Sequence, residues 1–233
     1  MSNAAIWGLI DAEEIVFPLD IEEFNSAMLL FSVPTAAARS LVPTRAFELV
    51  ERESGWAHLI VAALDFRQNP WGDYDEINLS FVAKPAGAPE EEAGGFLVRS
   101  LVNQRFGYEA GARAMQFPRM EDEIDVTYTD DTVTFDLTVE GDRTLTLRVP
   151  RARPEGEPER MSSLGYSYID GVARCTHVDI DMPTGIVDPG AVHIELGTGP
   201  LAAELRRLGL PRVPDFCAWG EGLFARFQRP QTI

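Results

Sequence analysis

Lysine is nearly absent from this chain of 233 residues, which has 19 Arg but a single Lys, Lys84. An arginine guanidinium stays protonated at neutral pH and cannot act as an amine nucleophile, so Schiff-base chemistry by a side chain would have to use Lys84. Residues 84–95 are rich in Pro, Gly and Glu, which is typical of a loop. We therefore expect Lys84 to be a solvated loop residue.

Cysteine is also scarce, and the two residues, Cys175 and Cys217, form no CxxC pair or Cys/His cluster. This pattern argues against a disulfide framework and a zinc site and fits a reducing cytoplasm, with both thiols buried. Positive charge is in deficit as well, because the net charge is −17. The electrostatic field of so acidic a protein repels phosphate backbones and anionic lipids, so we expect neither nucleic acid nor a membrane surface as a partner.

Long apolar runs and the common cofactor motifs are missing too. The chain has no stretch of about 18 apolar residues, and residues 1–7 lack the basic and apolar regions of a signal peptide. There is no GxGxxG, P-loop, HExxH or GxSxG motif. We expect a cytoplasmic protein that uses no metal or organic cofactor and whose partner is a small-molecule substrate.

The sequence does contain a succession of short predicted strands. Apolar and polar residues alternate most clearly over 74–83 and 132–149, and a turn at 140–143 makes the second of these a hairpin. Further strands are predicted at 56–66, 96–102, 124–128, 166–181 and 191–196, and helices at 34–43, 200–208 and 219–227. This pattern predicts a β-rich α+β fold with few short helices, in which a curved sheet or cone-shaped barrel encloses a pocket.

We predict that residues 1–233 form a single domain. The loop at 151–160 contains two Pro, a Gly and six charged residues, and it offers the alternative of a boundary between two domains. The single domain is favoured because the hairpin that precedes this loop still needs a partner sheet.

One segment, Gly111 to Met120, resembles the active-site signature of the acetoacetate decarboxylase family, which is roughly G-R-E-x-x-x-[FY]-P-K-K. Tyr74-Asp-Glu76 resembles the family's Tyr-x-Glu, and Thr198-Gly-Pro200 resembles its C-terminal Thr-Gly-Pro before a helix. In that family the first Lys after the Pro forms a Schiff base with the substrate ketone, and the second lowers its pKa. Here the two positions are Arg119 and Met120.

The resemblance implies the family fold, a homo-oligomer and a pocket that contains Glu76, whose family counterpart acts on the substrate carboxylate or its proton. It also implies that Arg119, a fixed cation, replaces the nucleophile. The planar guanidinium has several N–H donors and is suited to bind a carboxylate, phenolate or enolate oxygen. We therefore expect Arg119 to bind an oxyanion and Glu76 to be a general acid or base. The alternatives are that Arg119 pairs with an internal acid and that Glu76 is solvated.

Five further residues are candidates for contacting the substrate, namely Tyr74, Arg113, Gln116, Phe117 and Met120. Arg113 stands at the family's Glu position, so it would either reverse the local charge or pair with Glu76. Gln116 could donate a hydrogen bond to a ligand carbonyl, and stabilisation of a turn is the equal alternative. His58, His177 and His193 lack the spacing of metal ligands and fit ordinary positions in a sheet.

These observations predict a lyase-like or cyclase-like enzyme that acts non-covalently on a carbonyl-containing small molecule, such as a β-keto acid or polyketide-type intermediate, in secondary metabolism. Decarboxylation through a stabilised enolate, dehydration and cyclisation are the reactions open to Arg119 and Glu76. The alternative is a non-catalytic small-molecule-binding protein that retains the family pocket. An active Schiff-base decarboxylase would require Lys84 to lie inside that pocket.

Overall fold

A computed structural model describes residues 5–154 and 156–233 of the chain. Its first strands are β1 (Ala5–Ile10), β2 (Glu13–Phe17), β3 (Leu19–Pro34), β4 (Phe47–Leu49), β5 (Glu51–Glu53), β6 (Trp56–Gln68), β7 (Tyr74–Pro85), β8 (Gly94–Val102) and β9 (Arg119–Glu121). The others are β10 (Glu123–Tyr128), β11 (Thr132–Val139), β12 (Asp142–Pro150), β13 (Glu159–Ile169), β14 (Val172–Met182), β15 (Gly185–Ile186), β16 (His193–Leu196), β17 (Phe216–Phe227) and β18 (Gln231–Thr232).

The described helices are short: α1 (Thr35–Arg39), α2 (Arg105–Ala110) and α3 (Gly199–Arg207). A π-helical turn, Gly111–Met115, continues α2, and 3-10 turns occur at Glu90–Glu92 and Pro189–Ala191. The longest of the described helices has 9 residues, and none combines the length and apolar character that a membrane span requires.

Seven of the strands form a closed barrel. In hydrogen-bonded order they are β17, β3, β6, β7, β8, β13 and β14, and β14 pairs back with β17 through Val178–Phe227 to Ile180–Ala225. All of these pairings are antiparallel except that of β8 with β13. The predicted β-rich α+β fold with a barrel-like sheet and few short helices is confirmed.

A second, four-stranded sheet in the order β10-β11-β12-β16 covers one face of the barrel sheet. On β11 the residues alternate as predicted, and Val133, Phe135 and Leu137 are fully buried. They belong to one apolar core with residues such as Leu29 and Val61, which lie on one face of β3 and β6. Burial of a side chain of this size contributes about 1.5–3 kcal/mol, so this interface accounts for much of the stability of the fold.

A second core forms separately from the first and supports the candidate site. It contains the β1–β2 hairpin, the beginning of β3, and the segment from α2 through the π-helical turn. Phe66 lies at its centre, with its ring centroid 5.7 Å from that of Phe24 and 4.7 Å from that of Tyr74. The turn after α2 is anchored here by Met115, which is 1% exposed.

Two sequence predictions about the C-terminal half are wrong. Residues 219–227, predicted as a helix, belong to β17, which pairs with β3 along most of its length. Residues 166–181, predicted as one strand, are parts of β13 and β14, which a tight turn separates. That turn places Asp170 and Gly171 at φ 52° and 79°, a left-handed conformation that ends a strand.

Candidate active site

A buried ion pair between Glu76 and Arg119 is the centre of the candidate site. Glu76 comes from β7 and Arg119 from β9, and β8 lies between the two strands. The Arg119 Nη1 atom is 2.8 Å from Glu76 Oε2, and the two side chains are 3% and 4% exposed. The alternative of a solvated Glu76 is therefore wrong, and Arg119 pairs with an internal acid.

The turn that precedes β9 places Arg119 beside β8. Gln116 ends the π-helical turn in a left-handed conformation, with φ 56°, and its Nε2 donates to the carbonyl oxygens of Ala112 (3.3 Å) and Arg113 (2.5 Å). After this reversal β9 runs parallel to β8, with Arg119 in register with Ser100. Gln116 thus stabilises a turn, as one of the two sequence alternatives stated.

The Glu76 carboxylate has polar partners on both of its oxygens. Its Oε1 accepts hydrogen bonds from Asn78 Nδ2 at 2.6 Å and from Ser100 Oγ at 3.3 Å, while Oε2 faces Arg119. A buried carboxylate is costly unless it is paired and hydrogen-bonded. The three partners therefore hold Glu76 in one position.

Tyr74 and Gly111 enclose the Arg119 side chain. The Arg119 Cζ atom lies 5.7 Å from the centroid of the Tyr74 ring, and a Cβ atom at Gly111 would lie 1.9 Å from Arg119 Nε. Burial is the largest single effect on Arg119 and lowers its pKa, but Glu76 and Tyr74 together outweigh it, so the pKa of Arg119 is raised. Burial also raises the pKa of Tyr74, so the site holds a fixed cation beside a neutral phenol.

Arg119 makes few hydrogen bonds for a buried guanidinium. Its Nε and Nη1 atoms are inaccessible to solvent and have no hydrogen-bond partner. The contact of Nη1 with Glu76 is therefore an ion pair whose geometry is not that of a hydrogen bond. Asn78 Oδ1 is likewise buried and unpaired. Unpaired buried donors and acceptors carry a free-energy cost that a correctly placed anion or hydroxyl would relieve.

The sheet face that carries Glu76 lines the barrel interior and is less completely buried further along the strands. In antiparallel pairs, residues in register share one face. The row that contains Glu76 is buried and consists of Ser26, Leu64, Glu76 and Val102. The next two rows contain partly exposed residues, namely Met28, Ala62 and Asn78, then Leu30, Ile60 and Ser80. The ion pair therefore lies at the buried end of a face that is mostly apolar.

The predicted substrate contacts do not all lie at this site. Tyr74 does, and Phe117 packs on the second core nearby. Arg113 is exposed on the π-helical turn and does not pair with Glu76, whose partner is Arg119. Met120 is 37% exposed because successive residues of a strand point to opposite faces, so it lies away from Arg119.

Asn78 and Ser100 were not among the candidates that the sequence supplied. Asn78 could have been found, because it lies two residues from Glu76 on the polar face of a predicted strand and must share its side. Ser100 offers no comparable signal, since its place beside Glu76 depends on the register of β7 with β8.

Lys84 is not part of the site. It lies at the end of β7 instead of in a loop, and its ammonium donates to Glu48 Oε2 at 3.0 Å and to the Ala88 carbonyl at 2.5 Å. Eight residues of strand separate it from Glu76, which corresponds to about 26 Å. A Schiff-base decarboxylase requires a lysine in the pocket, and Lys84 does not lie there.

Asp75, beside Glu76 on β7, should make stability depend on pH. Burial raises its pKa to about 6, the charge of Asp65 adds to this, and a hydrogen bond from Asn103 opposes it. An unfolded carboxyl group ionises near 3.9, so the folded state loses stability as the pH rises from about 4 to about 6. Asp75→Asn should therefore raise the free energy of unfolding by about 1–3 kcal/mol at pH 7 and by almost nothing at pH 4.

Urea unfolding at the two pH values measures this effect, with Asp73→Asn, an exposed neighbour, as the control. An equal gain at both pH values would show that the new amide contacts, and not the ionisation of Asp75, change the stability.

Comparison with solved structures identifies the fold as that of acetoacetate decarboxylase. The acetoacetate decarboxylase of Legionella pneumophila superposes with a TM-score of 0.69 at 13% identity, over 93% of this chain and 87% of that one. An acetoacetate decarboxylase-like enzyme from Sphingomonas wittichii gives 0.60 at 14% identity, over 99% of each chain. The enduracididine biosynthesis enzyme MppR, in complex with pyruvate, gives 0.58 at 12% identity, over 99% and 98%. No protein-family model matches the chain, and no curated protein matches it in sequence.

Proposed function

We propose that this protein is an enzyme that acts on a keto acid without forming a covalent intermediate, with Arg119 as the oxyanion binder and Glu76 as the general acid or base. The observation that carries the proposal is the buried Arg119 guanidinium, whose Nε and Nη1 atoms have no hydrogen-bond partner and whose Nη1 lies 2.8 Å from the Glu76 carboxylate. The substrate class is supported by proteins of the same fold, which include acetoacetate decarboxylases and an enzyme in complex with pyruvate.

For a β-keto acid the reaction best suited to this pair is decarboxylation. The bond between the carboxylate and the α-carbon breaks, CO₂ leaves, and the electron pair moves to the ketone oxygen as an enolate. Arg119 would stabilise that oxygen, since a charge placed in advance in a dry site acts strongly on a developing anion. Glu76 would then deliver a proton to the α-carbon. Dehydration and cyclisation require the same two roles, a stabilised enolate oxygen and a nearby proton carrier.

The proton needed for this step would be taken up when the substrate binds. Glu76 already faces Arg119, and a substrate carboxylate would place a second negative charge beside the same cation. Two carboxylates that share one site favour a state in which one of them is protonated. The bound complex would therefore hold a neutral Glu76 beside an anion on Arg119.

A non-catalytic binding protein is the second candidate, and one observation favours it. Asn78 and Ser100 donate to one oxygen of the Glu76 carboxylate and Arg119 neutralises its charge, which is the arrangement expected of a structural ion pair. We also propose a homo-oligomer, as the family resemblance implies, a cytoplasmic location, which the cysteine usage supports, and a role in secondary metabolism, which the replacement of the nucleophile by Arg119 supports. Native mass spectrometry would test the assembly.

The function is tested by incubating the protein with acetoacetate and larger β-keto acids in the presence of cyanoborohydride. We expect CO₂ release and no adduct by intact mass, because an arginine forms no Schiff base and Lys84 is held by Glu48. Glu76→Gln should lower turnover by about 10²-fold or more while the dissociation constant of the keto acid is kept.

An adduct together with CO₂ would contradict the non-covalent mechanism and point to Lys84 or the N-terminal amine. Binding without CO₂, unaffected by Glu76→Gln, would support the non-catalytic alternative.

A further inference from the structure

We infer that the ligand of this site carries an apolar chain, which lies along the sheet face between Asn78 and His58. The inference rests on the proposed function only for the position of the acidic head group at Arg119. The chain would lie on strands β3, β6 and β7 beyond the ion pair.

The two faces of these strands have different surroundings, because the four-stranded sheet packs outside the closed barrel and the opposite face lines the barrel interior. Leu29, Val61 and Leu79 point to the four-stranded sheet and are at most 4% exposed. The opposite face presents four apolar side chains that are partly exposed, namely Met28, Leu30, Ile60 and Ala62. Apolar side chains that stay partly exposed inside a barrel border space that the apolar part of a ligand could fill.

The interior face has polar groups at each end of its apolar rows. At one end Asn78 Oδ1 and Arg119 Nε are buried and unpaired, beside Glu76. At the other end is His58, in register with Ser32 on β3, and both of its ring nitrogens are buried without a partner. From Ala62 to His58 the strand extends about 13 Å.

The residue types along this face suit an acid with an apolar chain. A chain that begins at Arg119 can follow the apolar rows without crossing a charged side chain, because the rows between the ion pair and His58 contain only Asn78 and Ser80 as polar groups on β7. The occupant is therefore an acid with a linear apolar chain of up to about 13 Å. Acetoacetate, whose chain is much shorter, would leave most of this face uncovered.

The test uses saturated carboxylates, because they bind without reacting. Isothermal titration calorimetry with acetate, butyrate, hexanoate, octanoate and decanoate should show a dissociation constant that falls about two- to fourfold for each added methylene until the face is filled. Ile60→Glu should abolish the dependence on chain length. Met161→Glu, at an exposed apolar position on β13, is the matched control and should change nothing.

Leu30→Ser serves as a second variant if Ile60→Glu does not fold, and it should reduce the gain per methylene in the same way. Equal affinities for all chain lengths, or a length dependence that survives both variants, would overturn the inference.

Arg119→Gln separates the two proposals. It should weaken binding of all the acids by a similar factor if Arg119 holds the head group. If Arg119→Gln leaves the dissociation constant of every acid unchanged, including the dependence on chain length, the chain site is supported and the proposed role of Arg119 is contradicted.

Discussion

Arg119→Met should lower the free energy of unfolding by about 3–5 kcal/mol, because it leaves the Glu76 carboxylate buried without its counter-ion. The two side chains are 3% and 4% exposed, so water cannot replace the lost charge. The hydrogen bonds from Asn78 and Ser100 remain, but they satisfy only one of the two carboxylate oxygens. Urea unfolding at pH 7, followed by circular dichroism, measures the loss.

The double variant Glu76→Gln/Arg119→Met should recover most of that loss. The Gln carbonyl can still accept from Asn78 and Ser100, and no charge is then left in the site. Arg105→Met is the matched surface control, because Arg105 pairs with Glu109 and Glu121 while 65% of its side chain is exposed. It should cost less than about 1 kcal/mol.

Two outcomes would contradict this account of the ion pair. If Arg119→Met costs no more than Arg105→Met, the pair is not as dry as its burial indicates. If the double variant is as unstable as the single one, the loss comes from the packing of the Arg119 alkyl chain and not from its charge.

The sequence predicted strands best where one face is apolar and the other polar. β11 is such a strand, and its alternation matches the observed burial residue by residue. β17 is buried on both sides over Cys217 to Gly220, so it has no alternation, and the spacing of Leu223, Phe224 and Phe227 imitates a helix. What fixes β17 as a strand is its pairing with β3, close to 200 residues earlier in the chain, which no local pattern contains.

For the candidate site, the sequence supplied the residues but not their arrangement. Glu76 and Arg119 were identified from the resemblance of short segments, yet β8 has to lie between their strands before they can meet. The choice of Arg119 over Arg113 as the partner of Glu76 depends on the left-handed turn at Gln116, which is rare for a residue other than Gly. The outward position of Met120 follows from strand alternation and could have been predicted.

Gly111→Ala should destabilise the protein by about 2–5 kcal/mol, although alanine normally stabilises a helix. Gly111 has ordinary helical angles, φ −64° and ψ −43°, so its backbone does not require glycine. The added Cβ, however, would lie 1.9 Å from Arg119 Nε and 2.4 Å from its Cδ. Arg119 is held by Glu76 and cannot retreat without breaking the ion pair, so overpacking and loss of the pair add together.

A double-mutant cycle distinguishes this explanation from a general intolerance of alanine in the turn. In an Arg119→Ala background the conflicting atoms are gone, so Gly111→Ala should be neutral or stabilising by up to about 1 kcal/mol, the ordinary helix preference for Ala over Gly. Gly107→Ala in α2 is the control and should cost much less, because its Cβ would come no closer than 3.3 Å to Gln104 Oε1 and 3.4 Å to the Tyr74 ring. If Gly111→Ala is equally damaging in both backgrounds, the glycine serves the turn itself, and Arg119 is not positioned by it.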